Sequence, residues 1–262
     1  MTRDWDAATY HRVSAPQLEW ALKVLERLPL SGDERVLDAG CGSGRVTQLL
    51  VERLPRGHVV AVDSAPSMVE HARQALDPER TTVLQANLTE LVLDEPVDAV
   101  FSNAVFHWID DHDALFARLH GALRPGGRMA AQCGGEGNVE RFHEAARAVA
   151  GRDPYAPYLA DWAGPWNFAG AEQTAARLEG AGFTEVETWL EPYPVTPPDP
   201  ITFARTVCLG PHLQQLPEEL REPYVGAVCE RSGTTLDYIR LNICAVSLPL
   251  ERLGIDFRFP PG

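Results

Sequence analysis

Residues 38–44 read DAGCGSG, with glycine at every second position: Gly40, Gly42 and Gly44. Before them lies RVLDAG (35–40), an apolar run that reads as a buried strand. After them GRVTQLLVERL (44–54) places Val46, Leu49, Leu50 and Leu54 at helical spacing on one face. A strand entering a glycine turn and then a helix is a nucleotide-handling arrangement. Glycine tolerates positive φ and lets a ligand approach the backbone closely. The helix start that follows offers unpaired N–H groups and a positive dipole end. Two fingerprints compete for this turn. The dinucleotide pattern G-x-G-x-x-G/A, counted from Gly40, fits Gly42 but ends on Arg45, too bulky for tight helix–strand packing. The alternative is Asp38-x-Gly40-x-Gly42-x-Gly44.

The rest of the first half keeps the rhythm of strand and helix, which predicts βαβ units and a parallel sheet. Strands are expected at 58–63, 81–86, 97–103 and 127–134, and helices at 65–76 and 112–123. Ser64 reads as the N-cap of the helix at 65–76, with Pro66 in its first turn. The turn RPGG (124–127) closes the helix at 112–123. Beyond it the pattern changes. A helix at 138–150 leads into an aromatic, proline-rich loop or broken helix at 151–168. A helix at 171–182, a strand at 183–193, a linker at 194–200, helices near 200–209 and 217–231, and a last strand at 236–248 complete the chain.

A chain of 262 residues, 45% of them hydrophobic, can bury a sizeable core without staples. The five cysteines are scattered, with no CxxC or Cys/His cluster, so neither a disulfide framework nor a metal site is expected. Reduced thiols fit a cytoplasmic protein. No secretory signal and no membrane-length apolar run is visible, so no membrane association is expected. The net charge of −14, with no Lys/Arg run, argues against a nucleic acid partner. It leaves a small molecule as the expected partner and says nothing of oligomeric state.

The DxGxGxG pattern resembles motif I of the class I S-adenosylmethionine-dependent methyltransferases. The likeness continues in chain order through Asp63 at the end of the second strand, SAPSMVEHAR (64–73), QANL (85–88), FSNAVFHW (101–108) and LRPGGRM (123–129). It implies a Rossmann-like α/β fold, a seven-stranded, mostly parallel sheet of order 3-2-1-4-5-7-6 with an antiparallel seventh strand, and S-adenosyl-L-methionine as cofactor. Carried over by residue, the cofactor site takes Asp38, Gly40, Gly42, Gly44, Asp63 on the ribose hydroxyls, Ser64, Met68 on the adenine, Asn87 and Leu88 at the adenine edge, and Asn103 under the methionine part. The organisation expected is one domain, 1–262, with an N-terminal helical cover at 1–30, a cofactor-binding core at 35–133, and substrate-cap insertions at 138–168 and 200–234.

Two further segments, 6–30 and SNAVFHWIDDHDALF, resemble small-molecule carboxylate methyltransferases of the trans-aconitate 2-methyltransferase and juvenile hormone acid methyltransferase type. That likeness puts Gln17 and Trp108 on the substrate carboxylate, with Tyr10 and His107 lining the same space. His107 is a general base or a pocket wall. Trp162, Trp166 and Phe168 form an apolar lid or a satellite cluster. A carboxylate is ionised at neutral pH and needs no base, only alignment and exclusion of water. An amine or phenol acceptor asks for a base, and a non-catalytic cofactor-binding protein is the third reading. A polycarboxylate acceptor would ask for arginines, with Arg12 and Arg205 as candidates; a mostly apolar acid is the reading favoured by the aromatics of 155–168.

Overall fold

The structure, a computed structural model, describes residues 15–248, with side chains from Leu18 onward. Seven strands form one sheet in the order β3-β2-β1-β4-β5-β7-β6. They are β1 (Arg35–Ala39), β2 (His58–Asp63), β3 (Thr81–Gln85), β4 (Val97–Asn103), β5 (Leu123–Gly134), β6 (Phe183–Val195) and β7 (Leu236–Ser247). β1 to β5 pair in parallel, and β7 runs antiparallel to both β5 and β6. The expected order and the antiparallel seventh strand are therefore both observed.

The helices are α1 (Ala15–Glu26), α2 (Arg45–Arg53), α3 (Pro66–Ala75), α4 (His112–Ala122), α5 (Glu140–Ala150), α6 (Ala156–Leu159), α7 (Ala171–Gly180), α8 (Pro200–Phe203), α9 (Gly210–Gln215) and α10 (Glu218–Ser232). The strands VLDA and VVAV are buried at successive positions because helices cover both faces of a parallel sheet. On one face Ala21, Val24, Leu25 and Leu28, spaced as one helical stripe, pack with Leu50, Leu54, Val36, Val59 and Phe101. On the other face Leu115, Phe116 and Leu119 of α4 and Leu178 of α7 cover Leu37, Val60, Val100 and Met129. Helix α1 is thus a layer of the sheet, and among its described side chains Leu18 and Trp20 reach the large cavity described below.

A third apolar cluster stands off the sheet. It joins Phe142, Ala146 and Val149 of α5, Tyr155 and Leu159, Phe203, Leu209, and Tyr224, Val225 and Val228 of α10 to Trp20, Leu236 and Tyr238. The two segments expected as insertions, 138–168 and 200–234, thus share one core with the start of β7.

Local expectations failed in three places. Ser64 does not cap α3: the boundary residue is Ala65, with no side-chain cap, and Asp63 Oδ1 instead accepts the Ala65 amide at 2.9 Å. The strand after RPGG starts earlier, because Leu123 already pairs with Val97 and residues 124–127 bulge out before Arg128 pairs with Ala99. The linker begins later, because Pro194 and Val195 still pair with Asp237 and Leu236; proline is tolerated on this edge strand. Among the described residues no helix is long and apolar enough to cross a membrane, and no group of His, Cys, Asp and Glu could hold a metal ion.

Candidate active site

The carboxyl ends of β1, β2 and β4 open into a cavity of about 740 Å³. This is the crevice where open α/β sheets bind ligands. The glycine loop forms its floor. The amides of Gly40 and Cys41 both donate to Val62 O, at 2.8 and 2.9 Å, and the Gly42 amide donates to Asp63 Oδ2 at 2.9 Å. The Gly44 amide donates to Cys41 O. The amides of Gly40, Cys41, Gly42 and Gly44 are thus bonded within the protein, and at Gly42 the loop leaves open space by lacking a side chain.

The three glycines differ in what they do. Gly42 (φ +54) has nothing within 4 Å of the place a Cβ would take, so it faces open space. A Cβ on Gly40 (φ +91) would lie 2.1 Å from Val105 Cγ2, so this glycine lets the loop after β4 close in. Gly44 (φ +87) precedes α2 and packs against Leu76 and Ala72 of the neighbouring helix; it does not line the cavity.

Two acids sit below the loop. Asp38 is 1% exposed and accepts the Thr47 hydroxyl at 2.7 Å. Burial pushes its carboxyl up to about 7; the Thr47 hydroxyl opposes this and Asp63 adds to it. Asp63 is also raised by burial, against which the amides of Ala65, Gly42 and Ser64 work. Its Oδ2 takes the Gly42 amide and its Oδ1 the Ala65 amide, and the carboxylate has further lone-pair capacity for a ligand. Ser64, Met68, Asn87, Leu88 and Asn103 line the same cavity. Met68 is 5% exposed beside Ala65. Asn87 accepts the Thr89 amide through Oδ1 at 3.1 Å, which leaves its NH₂ as the group to offer.

The opposite wall is aromatic. His107 and Trp108 lie in a 3₁₀ turn after β4, their rings 5.0 Å apart. The Gly134 amide donates to His107 Nδ1 at 3.2 Å. A nitrogen that accepts an N–H carries no proton, so the neutral ring has its hydrogen on Nε2. Phe168 stacks on His107 at 5.8 Å, and Trp166 lies 6.0 Å from Trp108. His143 lies 4.6 Å from Trp166, and burial lowers it to about 4, so it is uncharged at neutral pH. Trp162 is not on the wall; it backs Trp166 at 5.9 Å and His212 at 4.7 Å. Tyr10 and Arg12 lie outside the described residues, as does the side chain of Gln17, whose backbone belongs to α1. Arg205 pairs with Glu222 away from the cavity.

Several wall residues escaped the sequence reading. Trp20, Val139, His143, Tyr238 and Arg240 line the cavity. Arg240 falls on the buried parity of β7 with Leu236 and Tyr238, so a charge inside that apolar strand was the available signal. His143 carried no signal of its own.

The residues present suit S-adenosylmethionine. An open glycine floor, an acid at the end of β2 with lone pairs to spare, and a half-apolar slot at Met68 and Leu88 match a ribose, an adenine and an amino-acid tail. The volume is in the range of ligand pockets and leaves room for a small acceptor beside the cofactor. Residues 36–127 match the family of methyltransferase domains. The trans-aconitate 2-methyltransferase of Methylobacterium nodulans is 36% identical over 188 residues, 71% of this chain and 67% of its own. That of Azoarcus sp. is 32% identical over 236 residues, 85% of this chain and 87% of its own. Among solved structures, Haemonchus contortus phosphoethanolamine N-methyltransferase 2 in complex with S-adenosyl-L-methionine superposes with a TM-score of 0.61 at 19% identity, over 93% of this chain and 56% of its own. An S-adenosylmethionine-dependent methyltransferase of Mesorhizobium loti gives 0.54 at 24% identity, over 87% and 97%. The chain therefore belongs to the class I S-adenosylmethionine-dependent methyltransferases of the trans-aconitate 2-methyltransferase type, with S-adenosyl-L-methionine as its cofactor.

Proposed function

We propose that this enzyme methylates a carboxylate of a small acid, giving a methyl ester. The observation that carries the reading is the Gly134 amide on His107 Nδ1. It makes the ring at the cavity wall an N–H donor. A donor suits an acceptor that arrives already ionised, whereas an amine or phenol would call for a base. The names of the similar trans-aconitate 2-methyltransferases support the same choice.

S-adenosylmethionine supplies an electrophilic methyl group on a sulfonium. The chain's own residues do the rest. Asp63 holds the ribose hydroxyls, Met68 and Leu88 flank the adenine with the Asn87 NH₂ at its edge, and Gly40, Gly42, Asp38 and Asn103 surround the amino-acid tail. Gly44 acts at one remove, by seating α2 against α3. His107 Nε2–H and the Trp108 indole N–H hold one oxygen of the acceptor carboxylate, and Gln17 is the further carboxylate donor that the resemblance implies. Neutral donors orient the anion without stabilising its ground state as strongly as a cation would, which preserves the nucleophile. Trp166 and Phe168, backed by Trp162, exclude water that would solvate it. Residues 138–168 and 200–234 form the substrate cap.

The test is calorimetric titration with S-adenosylhomocysteine, followed on the same sample by a methyl-transfer screen over acids, amines and phenols. Ester formed from acids alone is the expected result. Product from amines or phenols alone would overturn the carboxylate reading.

A further inference from the structure

Two segments far apart in the chain meet at the aromatic wall. His107 and Trp108 stand on the 3₁₀ turn Phe106–Trp108, closed by the Trp108 amide on Val105 O at 2.9 Å and the Ile109 amide on Phe106 O at 3.0 Å. So short a 3₁₀ turn holds itself weakly. Its carbonyls are gripped from outside. Phe106 O accepts His112 Nε2–H at 2.9 Å, and the Arg177 guanidinium, always a donor, faces His112 Nδ1 at 3.4 Å and so keeps the proton on Nε2. On the other edge stands Asn167. Its amide donates to His107 O at 2.9 Å, and its Nδ2 donates to Asp110 O at 2.9 Å and Ile109 O at 3.2 Å. Residues 166–168 belong to no helix or strand, and their side chains take opposite sides. Trp166 and Phe168 line the cavity against Trp108 and His107, while Asn167 between them turns to the backbone of residues 109 and 110. The segment is anchored again at its far end, where Ala169 O accepts the Glu136 amide at 3.0 Å.

We propose that Asn167 is a positioning residue for methyl transfer: it locks the segment carrying Trp166 and Phe168 onto the turn carrying His107 and Trp108, so that the two halves of the acceptor site are held as one wall. The proposal rests on the reading above, in which His107 and Trp108 hold the acceptor. Asn167 does not itself line the cavity, so it acts through its neighbours. The chemistry of the reaction gives this lock its value. Methyl transfer to an ionised oxygen needs no proton moved, so alignment of the oxygen with the methyl carries much of the catalysis. Rings that shift relative to the turn would also admit water to the anion. An amide side chain suits the task, since its NH₂ has two hydrogens and meets two carbonyls. Asn167 is only half-buried, so its removal should disturb the turn without emptying a core.

The test compares wild type, Asn167→Ala and Asn167→Asp in the full chain, with circular dichroism as the check of folding. The indole N–H signals of Trp108 and Trp166, assigned with Trp108→Phe and Trp166→Phe, are recorded by NMR in protein saturated with S-adenosylhomocysteine, so that the wall is read without any acceptor. In parallel, kcat and KM are measured with the acceptor that the screen above yields, trans-aconitate being the first acid tried. Asn167→Ala should broaden or shift both indole signals and lower kcat at least about thirtyfold, as misalignment of reacting groups does. KM and the affinity for S-adenosylhomocysteine should each move by less than about threefold. Asn167→Asp keeps the shape but sets an oxygen against two carbonyls, so its loss should be at least as large, and it decides alone if Asn167→Ala does not fold. Three results would overturn the assignment: indole signals unchanged in both variants, an unchanged kcat, or a loss of S-adenosylhomocysteine affinity that matches the loss of kcat. If both indoles respond and kcat falls, but wild type methylates only amines or phenols, the carboxylate reading fails while the role of Asn167 stands.

Discussion

Asp63 Oδ2 accepts the backbone N–H of Gly42 at 2.9 Å, tying the end of β2 to the glycine loop that follows β1. The same carboxylate holds the Ala65 amide through its other oxygen. Asp63 therefore shapes the floor of the site as well as facing the ligand. Asp63→Ala should lower the affinity for S-adenosylhomocysteine at least about tenfold and also cost about 2 kcal/mol of stability, because two part-buried amides lose a charged acceptor. Calorimetry and thermal denaturation of the same variant separate the two effects. A loss of stability with unchanged affinity would make the acid purely structural.

Gly40 and Gly42 should respond differently to the same methyl group. Gly40→Ala drives a Cβ to 2.1 Å from Val105 in a positive-φ position, so it should destabilise the apo-protein by about 2 kcal/mol or more. Gly42→Ala meets no atom within 4 Å and should cost about 1 kcal/mol for its φ alone. Gly42→Val, filling the floor, should remove S-adenosylhomocysteine binding from a chain that still folds. Equal melting temperatures for the two alanine variants would contradict this division.

Much of this site was legible in the sequence because its elements are local. Strand, glycine turn and acid fall within about 25 residues, and their spacing carries the geometry of a βαβ unit. Asp38, Gly40, Gly42, Asp63 and Met68 all line the cavity. What could not be read depends on contacts between distant segments. Gly44 satisfies the pattern but turns to Leu76, because whether a glycine faces a ligand or a helix is decided by where α3 lies. Trp162 and Trp166 look alike in sequence, and the packing of His212 places one behind the other. Arg240 lies about 200 residues from the glycine loop and reaches the cavity only because β7 inserts antiparallel between β5 and β6.

His107 should behave as a donor. Its Nδ1 accepts the Gly134 amide, so His107→Gln, which retains an amide donor, should lose less than the hundredfold or more that removal of a general base brings. The pH dependence of kcat from 6 to 9 should be the same for wild type and variant. A fall in kcat toward the acid end, present in wild type and missing in the variant, would show that the ring takes a proton.

Trp108→Phe keeps a ring beside His107 and Trp166 but removes the indole N–H. It should raise KM for the acid about tenfold, consistent with one lost hydrogen bond to a charged group. The affinity for S-adenosylhomocysteine should stay unchanged. A fall in cofactor affinity of the same size would place Trp108 against the donor.

Asp38 and His143 should tilt the pH dependence of stability in opposite senses. The Asp38 carboxyl titrates near 3.8 when unfolded and is raised to about 7 in the fold. Between those values the native state holds the extra proton, so stability is lost as pH rises, by about 4 kcal/mol at most. His143 is lowered from 6.5 to about 4. Between those values the unfolded state holds the extra proton, so stability is gained as pH rises. Across pH 4 to 6.5 the two contributions offset each other in the cofactor-free enzyme. Asp38→Asn, which still accepts the Thr47 hydroxyl, should therefore become steadily more stable relative to wild type as pH rises through that window. His143→Phe should become steadily less stable relative to wild type over the same range. Urea unfolding at pH 4.5, 5.5 and 6.5 measures both slopes. Parallel curves for all three proteins would mean that neither group changes its protonation on unfolding there, and that the acid beneath the glycine loop is ionised throughout.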